Sequence, residues 1–471
     1  MSTVHISPYS GQWYPEAAAE LEALLEQKYA CSRARTGHSL PAGLGFVTPH
    51  AGPAYSGAVA AGVYRTLHQQ RAERVVLLAF PHRGMLRGVA TPDVRAIVTP
   101  LGEREIDRRF AGDFRALPEG RLCDHSFEIQ LPFLQRSVPR AVVTPLYVGP
   151  LTAEERSHAA GVLAAAWQPG TVFVASSDFT HYGRDFDHLP FPSDRHTAQR
   201  LRDLDFQYIE AAGSLDACRF LDVLDRHQGT VCGSAPIALM LDVLRRLDRE
   251  SIYPSVIDYQ TSGEITGDFH HSVSYAALGF HSQTAFWLEA DDCEALLNSA
   301  AETLRGLREG RARPLIAARG GSPALAAKRA AFVSLHRDEE LLGCIGNLAG
   351  RCPLAEEIAG LTRSAAIDDP RFGPATSGAG PIDIEISLLT PFRRIYNPAE
   401  FCVGKHGGFL TLEHRSGLLL PQVAEGREWR AEDFIRALER KSNLWKGAAA
   451  DPKAKLFVFE AQIFSRKNAV R

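Results

Sequence analysis

The segment Arg74–Phe80 reads RVVLLAF and leads directly into Pro81 and His82. Three other runs in the first half of the chain have the same apolar character: Gly43–Thr48, Ala141–Val148 and Thr171–Ser176. Strands that are apolar throughout are buried on both faces, which requires helices on both sides of the sheet. Helical patterns lie between these runs, for example at 58–67, 161–167 and 237–247. The first region is therefore predicted to be an α/β domain with a doubly wound sheet.

The character of the sequence changes near residues 283–290, and the chain of 471 residues is too long for one ordinary core. We expect a first domain over residues 1–285 and a second over 290–471. The second region mixes helical patterns with strand-like alternation, as at Ile382–Leu389 (IDIEISLL). This mixture predicts an α+β domain.

Composition and charge exclude several classes of protein. A net charge of -3 argues against a nucleic-acid partner, which would normally require a basic surplus. No apolar run approaches the length that a membrane helix needs, and no signal peptide is visible, so a cytoplasmic location is expected. The eight cysteines are scattered without a C-x-x-C pair, which excludes zinc-ribbon and thioredoxin-type sites.

Polar side chains follow three of the four apolar runs. His50 follows the first run, His82 the second, and Asp178 with His181 the fourth. The carboxyl ends of strands form the ligand crevice of an open α/β sheet, so these side chains are expected to converge. A single histidine after a strand is more often a loop residue bonded to a carbonyl. Three such endings together make a shared site about as credible as that simpler interpretation.

Cys232 precedes an apolar helical pattern, with Ser234 as a candidate N-cap. A thiol beside a helix N-terminus is expected to be favoured as the thiolate, which binds metals. A buried structural cysteine is an equally good interpretation.

His125 and Glu128 are three residues apart and share a face if their segment is helical, where a carboxylate could orient a histidine. The alternative is a solvated helix start capped by Asp124.

Several of these segments together resemble the Memo family over about the first 280 residues. The motifs that carry the resemblance are, in order, Gly11–Pro15 (GQWYP), Thr48–Gly52 (TPHAG), Asp124–Phe133 (DHSFEIQLPF), Ser176–Gly183 (SSDFTHYG) and Cys232–Gly233. The Memo fold is similar to that of the class III extradiol dioxygenases, which hold non-haem Fe(II) with two histidines and a carboxylate. In Memo-like proteins a cysteine takes the third place.

The resemblance implies that His50, His82 and Cys232 are the metal ligands. It also implies that four neighbouring side chains have catalytic roles: His181, Asp178, His125 and Glu128. The sequence departs from the family at Phe80–Arg83 (FPHR), where a Gly-Pro-x-His type of turn is usual.

The second half resembles an AMMECR-type domain through Leu342–Gly346 (LGCIG) and Gly417–Ala424 (GLLLPQVA) followed by Trp429. Cys344, between the glycines of the first motif, is expected on a tight turn, either as a reactive thiol or as a packed residue. The second cysteine that the family often has after the tryptophan is absent. Fusions of the two domains in prokaryotes are associated with a radical-SAM protein, which the resemblance implies as a partner.

The sequence thus predicts a mononuclear metal site that is redox-active and dioxygenase-like, with Fe(II) as the first metal and copper as the second. The substrate would be a small molecule, with His181 as general base or acid and Asp178 orienting it. The alternative is a non-catalytic module that binds a phospho-peptide, a metabolite or a partner protein, since fold similarity does not carry function. A copper-handling protein without a substrate is a third interpretation.

Overall fold

A computed structural model describes residues 3–36, 40, 42–83, 86–118, 122–248, 251–310 and 323–470. The packing divides the chain into two compact units, Met1–Ala285 (unit 1) and Phe286–Arg471 (unit 2). Among the described residues, no helix is both long enough and apolar enough to cross a bilayer.

The strands of unit 1 are β1 Thr3–Ile6, β2 Gly43–Thr48, β3 Arg74–Ala79, β4 Val89–Pro92, β5 Val94–Thr99, β6 Gly102–Glu105, β7 Arg115–Leu117, β8 Val142–Val148, β9 Thr171–Ser176, β10 His181–Gly183, β11 Ile252–Thr261 and β12 His271–Ser282. Its described α-helices are α1 Ala18–Thr36, α2 Pro53–Gln69, α3 His125–Glu128, α4 Leu131–Ser137, α5 Ala153–Ala165, α6 Thr197–Gly213, α7 Ala217–Arg226, α8 Ser234–Asp248 and α9 Ser262–Thr266.

The main sheet of unit 1 contains nine described strands in the order β10-β12-β2-β9-β3-β8-β4-β7, and β11 pairs with β12. The four apolar runs become its parallel centre, β2, β9, β3 and β8. Antiparallel strands flank this centre, because β12 pairs with β2 and β4 pairs with β8 in that sense. A smaller sheet consists of β1, β5 and β6.

Alternate side chains of β3 enter two separate cores. Val75 and Leu77 pack with α2 on one face of the sheet, whereas Val76 and Leu78 pack with α8 on the other. Successive side chains of a strand point to opposite faces, so a strand covered on both sides must be apolar throughout. Burial of each such side chain contributes roughly 1.5–3 kcal/mol. The α/β prediction for the first half is confirmed.

Unit 2 is an α+β domain, as predicted. Its strands are β13 Ala331–Arg337, β14 Glu340–Asn347, β15 Ile382–Leu389, β16 Arg393–Ile395, β17 Gly407–Leu412, β18 Arg415–Leu419, β19 Lys455–Phe459 and β20 Ala461–Val470. Its described α-helices are α10 Ala290–Arg308, α11 Leu354–Ile367 and α12 Ala431–Lys441. Two antiparallel sheets form, β14-β13-β15-β20 and β16-β19-β17-β18. Helices α10 and α11 share a core with the first sheet, and α12 shares one with the second.

The expectation that Cys344 lies on a tight turn is wrong. Cys344 lies within β14, opposite Ser334 of β13, and the Ser334 hydroxyl donates a hydrogen bond to its sulfur at 3.2 Å. The neighbouring glycines serve close packing instead of a turn. A Cβ on Gly343 would come within 2.0 Å of the backbone oxygen of Ala365, and a Cβ on Gly346 within 2.2 Å of the Phe332 ring.

Candidate metal centre

Three strands of the parallel centre end at one edge of the sheet, and each is followed by a candidate site residue. His50 follows β2, His82 follows β3, and Asp178 follows β9. The ring centroids of His50 and His82 are 5.1 Å apart. Helix α2 begins with Pro53, three residues after His50, where the fixed φ of proline suits a first helical position. The short connection from β2 to α2 therefore holds His50 at this edge.

The hydrogen bonds around Ser176 fix the tautomer of His50. The Ser176 hydroxyl donates its only hydrogen to the backbone oxygen of Ser126 and accepts from Nε2 of Gln130 at 3.0 Å. Its remaining partner, Nδ1 of His50 at 3.0 Å, must therefore carry a hydrogen. Burial lowers the pKa of His50 well below its usual value, so the ring is neutral. Nε2 of His50 then presents a lone pair, the form in which histidine binds metals.

Cys232 lies next to that lone pair, with its sulfur 3.2 Å from Nε2 of His50. The backbone N–H of Asp178 donates to the same sulfur at 3.3 Å. Burial, followed by the nearby Asp178 carboxylate, raises the pKa of the Cys232 thiol well above its usual value. The expectation that the adjacent helix would favour a thiolate is therefore wrong, because burial has the larger effect on the pKa of this thiol. A metal that takes the thiolate must displace this proton.

His82 is oriented by Asp124, whose Oδ1 lies 3.0 Å from Nδ1 of the ring. Burial by itself would raise the pKa of Asp124, but the hydrogen bond from His82 and the nearby His125 lower it below the usual value. An ionised carboxylate only accepts, so Nδ1 of His82 carries the hydrogen and Nε2 is left for a ligand. Such a carboxylate–histidine pair is typical of metal sites, where it fixes the ring and raises its basicity.

His125 brings a third imidazole to the same place. One ligand atom each of His50, His82 and His125 lies within 4.8 Å of the other two. Burial lowers the pKa of His125 to about 4, so its ring is neutral as well. The sulfur of Cys232 is outside this group of three, although it contacts His50. The geometry therefore brings three imidazoles together and places the Cys232 sulfur against one of them, His50.

Asp178 and His181 have separate roles beside these rings. Oδ1 of Asp178 accepts from the backbone N–H groups of His50 at 2.8 Å and Ala51 at 3.3 Å, which fixes the loop after β2. Nδ1 of His181 lies 3.0 Å from the carbonyl oxygens of both Phe179 and Thr230, so it carries the hydrogen. In the neutral ring Nε2 of His181 is therefore an acceptor. This nitrogen is suited to take a proton from a bound molecule.

A cavity of about 500 Å³ contains most of these side chains, a volume suited to a small-molecule ligand. Its lining includes His50, His82, His125, Asp178 and His181, together with Gln12, Trp13, Ala51, Gly52, Ala54 and Tyr55. No site role was predicted for Trp13, Tyr55 or Ser176 from the sequence. Trp13 and Ser176 lie within the motifs quoted above, and this is the only sequence feature that could have indicated a role in the site.

A larger cavity of about 720 Å³, lined partly by Arg33, Arg65 and Arg136, contains none of the predicted residues.

Glu128 does not line this cavity, although it was expected beside the metal. Its side chain is fully buried, and Oε1 lies 3.1 Å from Nε2 of His5. One turn of α3 therefore carries His125 into the cavity and Glu128 away from it, towards β1.

Gly233 allows the Cys232 segment to lie against the end of β9. A Cβ at Gly233 would come within 2.5 Å of both the backbone oxygen of Ser176 and the Cβ of Ser177. We expect Gly233→Ala to lower the free energy of unfolding by about 1–3 kcal/mol, because neither neighbour can withdraw without backbone movement. Chemical denaturation would measure this change. The matched control is Gly161→Ala in α5, where nothing lies within 4 Å and alanine should stabilise by about 0.5–1 kcal/mol. An equal effect at both positions would contradict the packing argument.

Fold and site together define a class: α/β proteins that gather histidines and a cysteine at the carboxyl edge of a parallel sheet centre. The family model described as "Memo-like protein" matches residues 7–279. The chain belongs to the Memo family. Residues 297–464 match the family model AMMECR1, so a Memo domain is joined to an AMMECR1 domain.

Several known proteins are similar to this chain. A MEMO1 family protein of Methanosarcina barkeri is 34% identical over 279 residues, covering 57% of this chain and 97% of that protein. The protein memo-1 homolog of Caenorhabditis elegans is 29% identical over 286 residues, covering 57% of this chain and 80% of that protein. A solved structure of an uncharacterised protein from Pyrococcus horikoshii has a TM-score of 0.34 and 28% identity, covering 37% of this chain and 90% of that one.

Proposed function

We propose that unit 1 is a metal-dependent oxidoreductase of the dioxygenase-like kind that acts on a small molecule. His50, His82 and Cys232 would hold the metal, with Fe(II) as the first candidate and copper as the second. The observation that supports the proposal best is the contact of 3.2 Å between the Cys232 sulfur and Nε2 of His50, a ring that lines the same cavity as His181.

The donor set fits such a metal. Two imidazoles with fixed tautomers and one thiol are the donors that Fe(II), copper and zinc accept, and the thiolate makes the set softer than two histidines with a carboxylate. The buried Oδ2 of Asp124 has no hydrogen-bond partner among the described residues, which leaves this carboxylate as an acceptor behind His82. A bound redox-active ion would supply electron transfer to and from a substrate beside it.

The remaining side chains would bind the substrate and move its proton. Nε2 of His181 would accept the proton of a substrate hydroxyl, because the hydrogen on Nδ1 is donated to the carbonyl oxygens of Phe179 and Thr230. Trp13 and Tyr55 line the same cavity and would pack against an aromatic ring. Asp178 would hold the His50 loop in place through its two backbone hydrogen bonds. A catechol-like compound matches this combination of ring walls and a base for a hydroxyl.

The proposed function is tested by oxygen uptake of the iron-loaded full chain with catechol-like compounds. We expect wild-type protein to consume oxygen and His181→Ala to be slower by about 10²–10⁴-fold, the usual contribution of a general base. The matched control is His158→Ala, an exposed histidine on α5, which should leave the rate unchanged. Uptake in no protein under any condition would contradict the enzyme and favour the non-catalytic binding module. Uptake that is equal in wild type and His181→Ala would contradict the role of His181.

A further inference from the structure

A second group of metal-binding side chains lies behind the loop that carries Asp124 and His125. His5 belongs to β1, Cys123 precedes α3, and Glu128 ends α3. Nε2 or Nδ1 of His5, Sγ of Cys123 and a carboxylate oxygen of Glu128 all lie within 4.8 Å of one another. None of these residues belongs to the proposed first site.

Only one of the two oxygens of the Glu128 carboxylate has a hydrogen-bond partner in the described part of the chain. Oε1 lies 3.1 Å from Nε2 of His5, but the buried Oε2 has no hydrogen-bond partner among the described residues. The Glu128 side chain is fully buried. A buried carboxylate oxygen without a partner is costly, and a bound ion is one of the arrangements that satisfies such a group in native proteins. The contact with His5 accounts for one oxygen, and the other has no partner in the described part of the chain.

We propose that His5, Cys123 and Glu128 form a second metal site, which takes Zn²⁺ or a similar borderline divalent cation. Imidazole nitrogen, thiolate sulfur and carboxylate oxygen are the three donor types that zinc uses in proteins. The cation would neutralise the buried carboxylate and satisfy the oxygen that His5 does not reach. Calcium and magnesium are disfavoured, because they prefer oxygen donors throughout.

A cation there would fasten β1 to the segment that orients the first site. Cys123 is adjacent to Asp124, which orients His82, and is two residues before His125. His5 lies 123 residues from Glu128 in the chain, so the ion would close a long loop. Its role is structural, and it does not depend on whether the first site is catalytic.

Cobalt substitution in the full chain tests the second site alone. In a His50→Ala, Cys232→Ser background the first site is removed, and we expect one Co²⁺ per chain to give a near-ultraviolet thiolate-to-cobalt charge-transfer band. Adding Cys123→Ser should abolish this band, whereas Cys218→Ser, at an exposed cysteine, should leave it intact. Glu128→Gln should weaken Co²⁺ binding by at least about 10-fold, and His5→Ala should do the same.

Two results would overturn the second site: no thiolate band in the background protein, or a band that survives Cys123→Ser. Far-ultraviolet circular dichroism checks that each variant is folded. If Cys123→Ser does not fold, the Co²⁺ affinities of His5→Ala and Glu128→Gln test the site instead. Unchanged affinity in both would then reject the site, and weaker binding in both would support it. Because the first site is absent throughout, failure here leaves the proposed oxidoreductase function untouched.

Discussion

Protein with His50→Ala is expected to lose its iron and copper when it is purified without chelators, and Cys232→Ser is expected to do the same. His50 is central to the arrangement, since its Nε2 lies 3.2 Å from the Cys232 sulfur and its ring is 5.1 Å from that of His82. Loss of a group that merely orients a ligand costs about 10–100-fold in affinity, so loss of a ligand should cost at least about 100-fold. Elemental analysis of the purified proteins would measure the change.

Two matched controls belong to this experiment. His158→Ala and Cys218→Ser replace an exposed histidine and an exposed cysteine of the same unit, and both should retain the wild-type metal content. Equal iron and copper in wild type and in both site variants would contradict the proposed first site. Loss in His50→Ala and His125→Ala, but not in Cys232→Ser, would assign the third ligand to His125 instead.

Asp205→Ala is expected to lower the free energy of unfolding by about 3 kcal/mol. Asp205 is fully buried in α6 and accepts hydrogen bonds from the Thr180 hydroxyl at 2.6 Å, the Thr180 N–H at 3.2 Å and the Tyr259 hydroxyl at 2.7 Å. Alanine would leave these buried donors without their acceptor. Because Thr180 directly precedes His181, the variant should also lose the placement of the proposed base.

Chemical denaturation, compared with Asp203→Ala, separates this effect from a general loss of helix charge. Asp203 lies on the same helix but is exposed, so its replacement should change stability by no more than about 0.5 kcal/mol. Equal stability of the two variants would show that the buried hydrogen bonds around Asp205 contribute little.

The central part of the fold could be predicted from the sequence because its strands are buried on both faces. A strand such as β3 needs apolar residues at every position, and that pattern is visible without knowing its neighbours. The strand ends then indicated where His50, His82 and Asp178 would lie. The short edge strands could not be predicted, because β6 (GERE) is mostly polar and is positioned by long-range partners such as β5.

Long-range partners account for the remaining errors and omissions. Burial raises the pKa of the Cys232 thiol, and nothing near residue 232 in the sequence reports that burial. The pairing of Glu128 with His5 joins positions 123 residues apart, so a helix face shared with His125 does not indicate what surrounds Glu128. Cys344 was placed on a turn because its glycines suggested one, whereas they allow close contact with Ala365 and Phe332.

Anomalous diffraction at the iron absorption edge, from crystals of the full chain loaded with Fe(II) under anaerobic conditions, tests the central claim most directly. We expect a peak within about 2.0–2.5 Å of Nε2 of His50, Nε2 of His82 and the sulfur of Cys232. A peak bonded to His125 with the Cys232 sulfur left out, or no peak at this edge of the sheet, would contradict it.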